Sequence, residues 1–223
     1  MKLKTFIISA LITLLAAILL NNSALAYKPY EFPGVGSYDK WTEANVYYNK
    51  GNGLSVNSEK KAMYKKAIEI YPYDANYWEN YSLVCSDVNE KIQCCLKAAS
   101  LNPDDCAGYQ GAGWEYQKLG EYQKAIECDK KAIAIDPGNL TVYNNLADCY
   151  DHFKQYEASA LLYKSGYDKT KNPDFAFNAG LYYRKSNNLQ QALDSFKIYL
   201  NANPDNKKCI KNISEIKLKL GIN

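Results

Sequence analysis

The chain has one histidine, His152, in 223 residues. So few imidazoles remove most metal and acid–base designs, which need convergent ligands or a tuned proton carrier. No G-x-S-x-G, H-E-x-x-H or P-loop string occurs, and Gly34-Val35-Gly36 is too little for a nucleotide loop. Cys94 and Cys95 are adjacent, not spaced as C-x-x-C, and no zinc spacing is present. His152 and Asp148 share one helix face with Asp151 beside them, but one imidazole and two carboxylates leave a cation site unfinished. An excess of one charge is also missing, since 27 Lys and Arg face 24 Asp and Glu. Nucleic acid therefore has no electrostatic hold here. The expectation is no enzyme, no metal and no cofactor.

Long hydrophobic runs are limited to one, Phe6 to Leu20, preceded by Lys2 and Lys4 and followed by Ala24-Leu25-Ala26. A basic start, a short apolar core and a small-x-small site read as a secretory signal, residues 1–26, cleaved after Ala26. The run is short for a transmembrane helix of ~20 apolar residues, so no integral span is expected after cleavage. No cysteine marks a lipoprotein site. The expected location is secreted or periplasmic. Residues 27–40, with Pro29, Pro33, Gly34 and Gly36, read as a flexible leader.

What the chain does have is a ladder of prolines: Pro72, Pro103, Pro137, Pro173 and Pro204. KAIEIYP, KAASLNP and KAIAIDP lead into the first three. A regular period of this size means stacked similar units, an all-α solenoid without one central core. In the unit 106–139, Tyr109, Ala112, Gly113 and Tyr116 form one helical face, and Leu119-Gly120 stops it. Tyr122, Ala125, Ile126, Ala132 and Ile133 form a second face, ended by Asp136-Pro137-Gly138. Two helices joined by a tight link make a helical hairpin. Five such units are expected, 41–72, 73–105, 106–139, 140–172 and 173–206, then a capping helix over 207–223. In that cap Ile210, Ile213, Ile216 and Leu220 form the apolar stripe. Its lysines, Lys207, Lys208, Lys211, Lys217 and Lys219, form a solvated side or a basic patch.

Departures from the period carry their own expectations. Gly51-Asn52-Gly53 should break or shorten the first helix. Asp87 and Glu90 look like a capping pair. Ser159, Gly166 and two extra residues before Pro173 predict that the second helix of the fourth unit is irregular or ends early.

The stretch Tyr109 to Pro137 resembles a tetratricopeptide repeat, or TPR, with Gly113, Tyr116, Gly120, Tyr122, Ala125, Ala132 and Pro137 in register. Gly180, Tyr183, Leu189, Ala192, Phe196 and Pro204 mark a second copy, and Tyr143, Leu146, Ala147, Tyr150 and Tyr156 one between them. The resemblance implies a non-catalytic scaffold that binds protein or peptide on a concave face lined by the first helix of each hairpin. That face would carry Glu79, Asn80 and Leu83, then Gln110, Trp114 and Gln117, then Asn145, Asp148 and His152, then Asn178, Leu181 and Arg184. Asn80, Asn145 and Asn178 share one repeat position, where family members often turn an amide toward a peptide. The family's basic clamp for a terminal carboxylate has no counterpart. Trp114, one residue past Gly113, is either a groove anchor or a core residue against the next repeat. A carbohydrate or cell-wall binder using aromatic stacking is the alternative function.

All seven cysteines, Cys85, Cys94, Cys95, Cys106, Cys128, Cys149 and Cys209, lie after the signal. They read either as small buried hydrophobes or as disulfide partners, with at least one left over. Cys128 and Cys149 stand almost equally far from Pro137-Gly138, so antiparallel helices would set them level as a disulfide candidate. Asn80, Asn139 and Asn212 lie in N-x-S/T triplets.

Overall fold

A computed structural model describes residues 33–222, so the expected signal and the first part of the leader lie outside the described residues. Of the compact unit Met1–Gly34 only Pro33 and Gly34 are described; the second unit, Val35–Asn223, holds the repeats. Its eleven helices pair in sequence: α1 (Tyr38–Asn52) with α2 (Asn57–Ile70), α3 (Ala75–Val84) with α4 (Val88–Leu101), and α5 (Ala107–Lys118) with α6 (Tyr122–Ile135). Then come α7 (Leu140–His152) with α8 (Tyr156–Thr170) and α9 (Pro173–Lys185) with α10 (Leu189–Ala202). A single α11 (Lys207–Leu220) closes the stack. Among the described residues there is no strand. The unit is an all-α solenoid of helical hairpins.

Short polar side chains start many of these helices. Ser37, Asp74, Asp87, Asn139, Asn172 and Asn206 each accept a backbone N–H of the first turn. Asp74 also reaches the preceding hairpin. Its other oxygen accepts the Trp41 indole N–H at 3.0 Å, tying α1 to the start of α3. The turns inside hairpins three to five repeat one conformation, a left-handed residue at Gly120, Lys154 and Asn187. Glycine adopts it freely; Lys154 and Asn187 hold it without that freedom.

Several expectations are corrected. The leader does not extend to residue 40, because Ser37 caps a helix that begins at Tyr38. Gly51 does not break α1 but lies inside it against the Tyr64 ring, and the helix ends within the triplet at Asn52, with Gly53 as its cap. Asp87 caps Glu90 N–H, but the Glu90 carboxylate turns away to Lys61 and Tyr81 and leaves the box half made. α8 is neither irregular nor short, with 15 residues. Ser159 donates to the Ala147 carbonyl, and Gly166 is the seat on which Phe175 and Tyr143 pack. In α11 the inward face is Cys209, Asn212 and Ile216, while Ile210 and Leu220 are exposed. Of the expected stripe, Ile216 is buried and Ile213 packs partly against the core, so the inward face is shifted and not replaced.

Helix–helix contact runs through residues with little or no side chain. Ala67, Ala98, Ala112, Ala125, Ala132, Ala147, Ala160 and Ala192 are fully buried. Gly166 shows the constraint at its sharpest. A Cβ there would stand 2.5 Å from the Phe175 ring and 2.8 Å from Tyr143, both rings fully buried and unable to step aside. Gly166→Ala should therefore cost ~1–3 kcal/mol as an overpacked core. Gly53→Ala, with its nearest atom 3.6 Å away and an ordinary φ of −80°, should be near neutral. Urea unfolding midpoints of the two variants check this; equal midpoints would show that the α8 seam yields.

Candidate binding groove

The first helices of hairpins three and four, α5 and α7, lie side by side. Between them is an open groove of ≈550 Å³ lined by Ala107, Gln110, Gly111, Trp114, Thr141 and Asn145. Trp114 forms one wall and is 49% exposed, so it is not a core residue. Its neighbour Gly113 faces inward against Cys128 and Asp129, which turns Trp114 out. Gln110 is fixed, its amide oxygen accepting from Asn139 Nδ2 at 3.0 Å. The same Asn139 caps α7, so one amide sets the spacing of the two helices. Asn145 lines the groove from a nearly buried position, 8% exposed.

The other expected site residues are dispersed along the first helices. Asn80 on α3 is engaged, donating to the Tyr48 hydroxyl at 2.9 Å and to the Asn76 carbonyl at 3.0 Å. Beside it Glu79 is half-buried, and Leu83 projects with 76% exposure. Burial first, then repulsion from Asp105 and Asp74, pushes the Glu79 carboxyl up to about 7. Gln117 is half-buried with its amide oxygen unpaired. The Asp148 side chain reaches solvent but is partly screened by its surroundings, and that partial desolvation first, then Asp151, raises its carboxyl. His152 leaves the cluster expected from sequence and stacks on Tyr122, ring centres 3.7 Å apart. Asn178 is half-buried on α9. Arg184 lines a second groove of ≈550 Å³ with Leu181, Lys185, Glu215, Ile216 and Lys219. There it donates to Asn212 and, at 3.2 Å, to Glu215, which fastens α11. Lys185 pairs with Asp151.

Family models for the tetratricopeptide repeat match residues 107–139 and 130–159. Residues 107–159 thus match the tetratricopeptide repeat. Among curated proteins it is similar to "TPR repeat-containing protein MJ1428" of Methanocaldococcus jannaschii, 26% identical over 79% of this chain and 32% of that protein. It is also similar to "Small glutamine-rich tetratricopeptide repeat-containing protein 2" of Mycosarcoma maydis, 29% identical over 38% of this chain and 25% of that protein. The chain thus spans only about a quarter to a third of those two relatives. Solved structures with the same fold include MamA, with TM-score 0.60, 19% identity, and 76% of this chain and 95% of that one covered. Another is YrrB, described as "a TPR protein with an unusual peptide-binding site", with TM-score 0.55, 16% identity, and 79% and 91% covered. Tetratricopeptide-repeat proteins are generally non-catalytic scaffolds that bind proteins or peptides. Among the described residues no helix is long and apolar enough to cross a membrane.

Within the groove, sequence reasoning missed Ala107, Gly111 and Thr141. Gly111 had a readable signal: it occupies the repeat position held elsewhere by Asn80, Asn145 and Asn178, so the helix closes on Cys95 there and only backbone lines the groove beside Trp114. The Cys128–Cys149 bridge is not formed. Both are free thiols, Cys128 facing Gly113 and Ala112 and Cys149 lying in the larger core of the following repeats. The two are level along the chain but turned to different neighbours. The triplet asparagines also use their amide nitrogens internally, Asn80 on Tyr48, Asn139 on Gln110 and Asn212 on the Lys208 carbonyl.

Behind the Trp114 wall sits Asp129, fully buried, with neither carboxylate oxygen hydrogen-bonded. Its Oδ1 lies 2.4 Å from where a Cβ on Gly113 would be. Burial pushes its carboxyl up to about 7 from an ordinary 3.8. The folded state therefore holds a proton that the unfolded chain releases above about pH 4. Stability from this group is full below that pH and is lost as pH rises toward 7, by at most about 4 kcal/mol. Urea denaturation at pH 4.5 and pH 8 should show the wild-type losing more stability than Asp129→Asn over that interval. Parallel losses in both would place the titration elsewhere.

Proposed function

We propose that the chain is an exported, non-catalytic scaffold that holds a protein or peptide on the face built by the first helices of its hairpins. The observation that carries this reading is the open groove at Trp114. A large ring left half-exposed beside a gap at Gly111 has no folding reason to be there, and Trp is enriched among binding hot spots. Gln110 and Asn145 border the ring with amides that both donate and accept, which suits the backbone of an extended peptide. The peptide-binding description of YrrB, a protein of the same fold, is consistent with that use.

The export part rests on the basic start, the apolar run and Ala24-Leu25-Ala26. N-terminal sequencing of the protein recovered from its producing cells should begin near Tyr27. Soluble cytoplasmic material with an intact Met1 would remove export from the proposal.

The binding part is tested on one substitution. A partner is first captured from the exported fraction with the wild-type chain and its binding peptide mapped. Trp114→Ala should then weaken binding by ~2 kcal/mol or more, with a melting temperature close to wild-type because the ring is half in solvent. Unchanged affinity in a folded variant would take Trp114 out of the site. Retention by glycans with no peptide ligand would favour a stacking platform for carbohydrate instead.

A further inference from the structure

The first helix of the fifth hairpin, α9, presents two opposite sides. Leu181 and Lys185 leave it into the groove against α11. Ala176, Ala179 and Tyr183, spaced three and four apart, leave it on the other side. α9 packs on both α8 and α10. The two alanines fill little of the space between those flanking helices, and an open pocket of ≈350 Å³ remains over them. Lys164, Tyr167 and Asp168 of α8 form one wall, and Gln191, Asp194 and Ile198 of α10 the other. Ligand pockets begin at about 300 Å³, so this one has room for a single long side chain but not for a folded segment.

The polar groups around this pocket are unequally satisfied. Lys164 donates to Asp168 at 2.7 Å along α8, so that pair neutralises itself. Lys171 lies over the Tyr167 ring, 5.2 Å from its centre. Asp194 forms no ion pair among the described residues, and accepts only the Gln190 side-chain amide at 3.1 Å. Tyr183 is the second unusual group. It is 5% exposed, yet its hydroxyl has no hydrogen-bond partner among the described residues. Tyr64, Tyr81 and Tyr163, also buried, donate theirs to Asn52, Glu90 and Asn144. Nor is the Tyr183 hydroxyl sealed in, as the unpaired hydroxyl of Tyr143 is. It opens on the pocket that its ring lines. Ile198 stands at the mouth, 37% exposed.

We propose that this pocket binds an arginine side chain presented by a partner protein. The apolar floor takes the carbon stem, as long cationic side chains bury their stems on apolar surface. The planar guanidinium lies along the Tyr167 ring, which already draws the Lys171 ammonium. From there it forks onto the Asp194 carboxylate, the one charge of the pocket that lacks a counter-ion. Its remaining N–H groups find acceptors in the Tyr183 hydroxyl and the Gln191 amide oxygen. An anionic side chain is disfavoured, because Lys164 is neutralised and Asp194 repels it. A lysine brings a point charge to a site whose acceptors lie in several directions, so arginine is the better fit. The pocket opens away from the groove face and is independent of the Trp114 site and its ligand.

The probe is a short capped peptide with one arginine between alanines, added to the isotope-labelled full chain and followed by amide NMR. Shifts should move and saturate around the pocket in α8, α9 and α10, while the Trp114 indole N–H stays still. Citrulline in place of arginine keeps the shape and loses the charge, and should weaken binding about tenfold or more. Lysine should bind less tightly than arginine, and norleucine less tightly than either. Asp194→Asn changes an exposed side chain and should weaken the arginine peptide about tenfold. Tyr183→Phe should melt with the wild-type, because the hydroxyl holds nothing in the free protein, and should bind the peptide severalfold less tightly. The proposal is overturned if no saturable shift appears at the pocket, or if shifts appear at Trp114 alone. It is overturned equally by arginine, lysine and norleucine peptides of the same affinity, or by undiminished affinity in folded Asp194→Asn.

Discussion

The structure depends on helices approaching one another at points where the chain has almost no side chain. Gly108 lies where a Cβ would meet the Cys95 carbonyl at 2.5 Å, and Gly113 where it would meet Asp129 at 2.4 Å. Gly166 and Gly180 sit under the rings of Phe175 and Phe196. Between these points, alanines with no exposed surface continue the seams. Close approach of this kind gives each helix a fixed rotation, because only one face can come so near. Large rings then occupy the places beside the seams, which is why Tyr143, Phe175 and Phe196 are wholly buried while Tyr38 and Tyr73 are not. Packing density, more than hydrophobic mass, sets the geometry.

The groove follows from the same constraint. Gly113 must face α6, and the next residue along the helix must then point away from it. Trp114 is turned outward by its neighbour's lack of a side chain, not by any contact of its own with solvent. Gly111 extends the effect, since its close approach to Cys95 also leaves the opposite side open. The cost is visible behind the wall, where Asp129 is enclosed without a hydrogen-bond partner. An unpaired buried carboxylate stays where it is most easily neutral.

Much of the architecture was legible because helix ends leave chemical marks. Proline follows the end of a unit or, at Pro173, opens the next one, and Asp or Asn caps the start of several helices. The hairpins fall where Pro72, Pro103, Pro137, Pro173 and Pro204 put them. What the sequence did not disclose was rotation and partnership. Gly166 reads as a break in isolation and becomes a seat only when Phe175 arrives from another helix. Lys154 and Asn187 hold left-handed turns that no glycine advertises. Cys128 and Cys149 are level along the chain yet point to different neighbours, and His152 finds Tyr122 on the preceding hairpin. Within the site, Trp114 and Gln110 were legible from register. The gap at Gly111 required comparing what each repeat places at one position.

Most of the packing joins helices adjacent in the chain, with longer steps reaching only to the neighbouring hairpin, as α5 on α7 and α1 on α3. Such a structure has low contact order: most partners are already nearby when a segment first becomes available. A hairpin can therefore assemble before the hairpins that follow it exist, whether the chain leaves a ribosome or a narrow channel. The bond from Trp41 to Asp74 can close only when the first residues of the second hairpin are in place, so it ties the phase of that hairpin to the first.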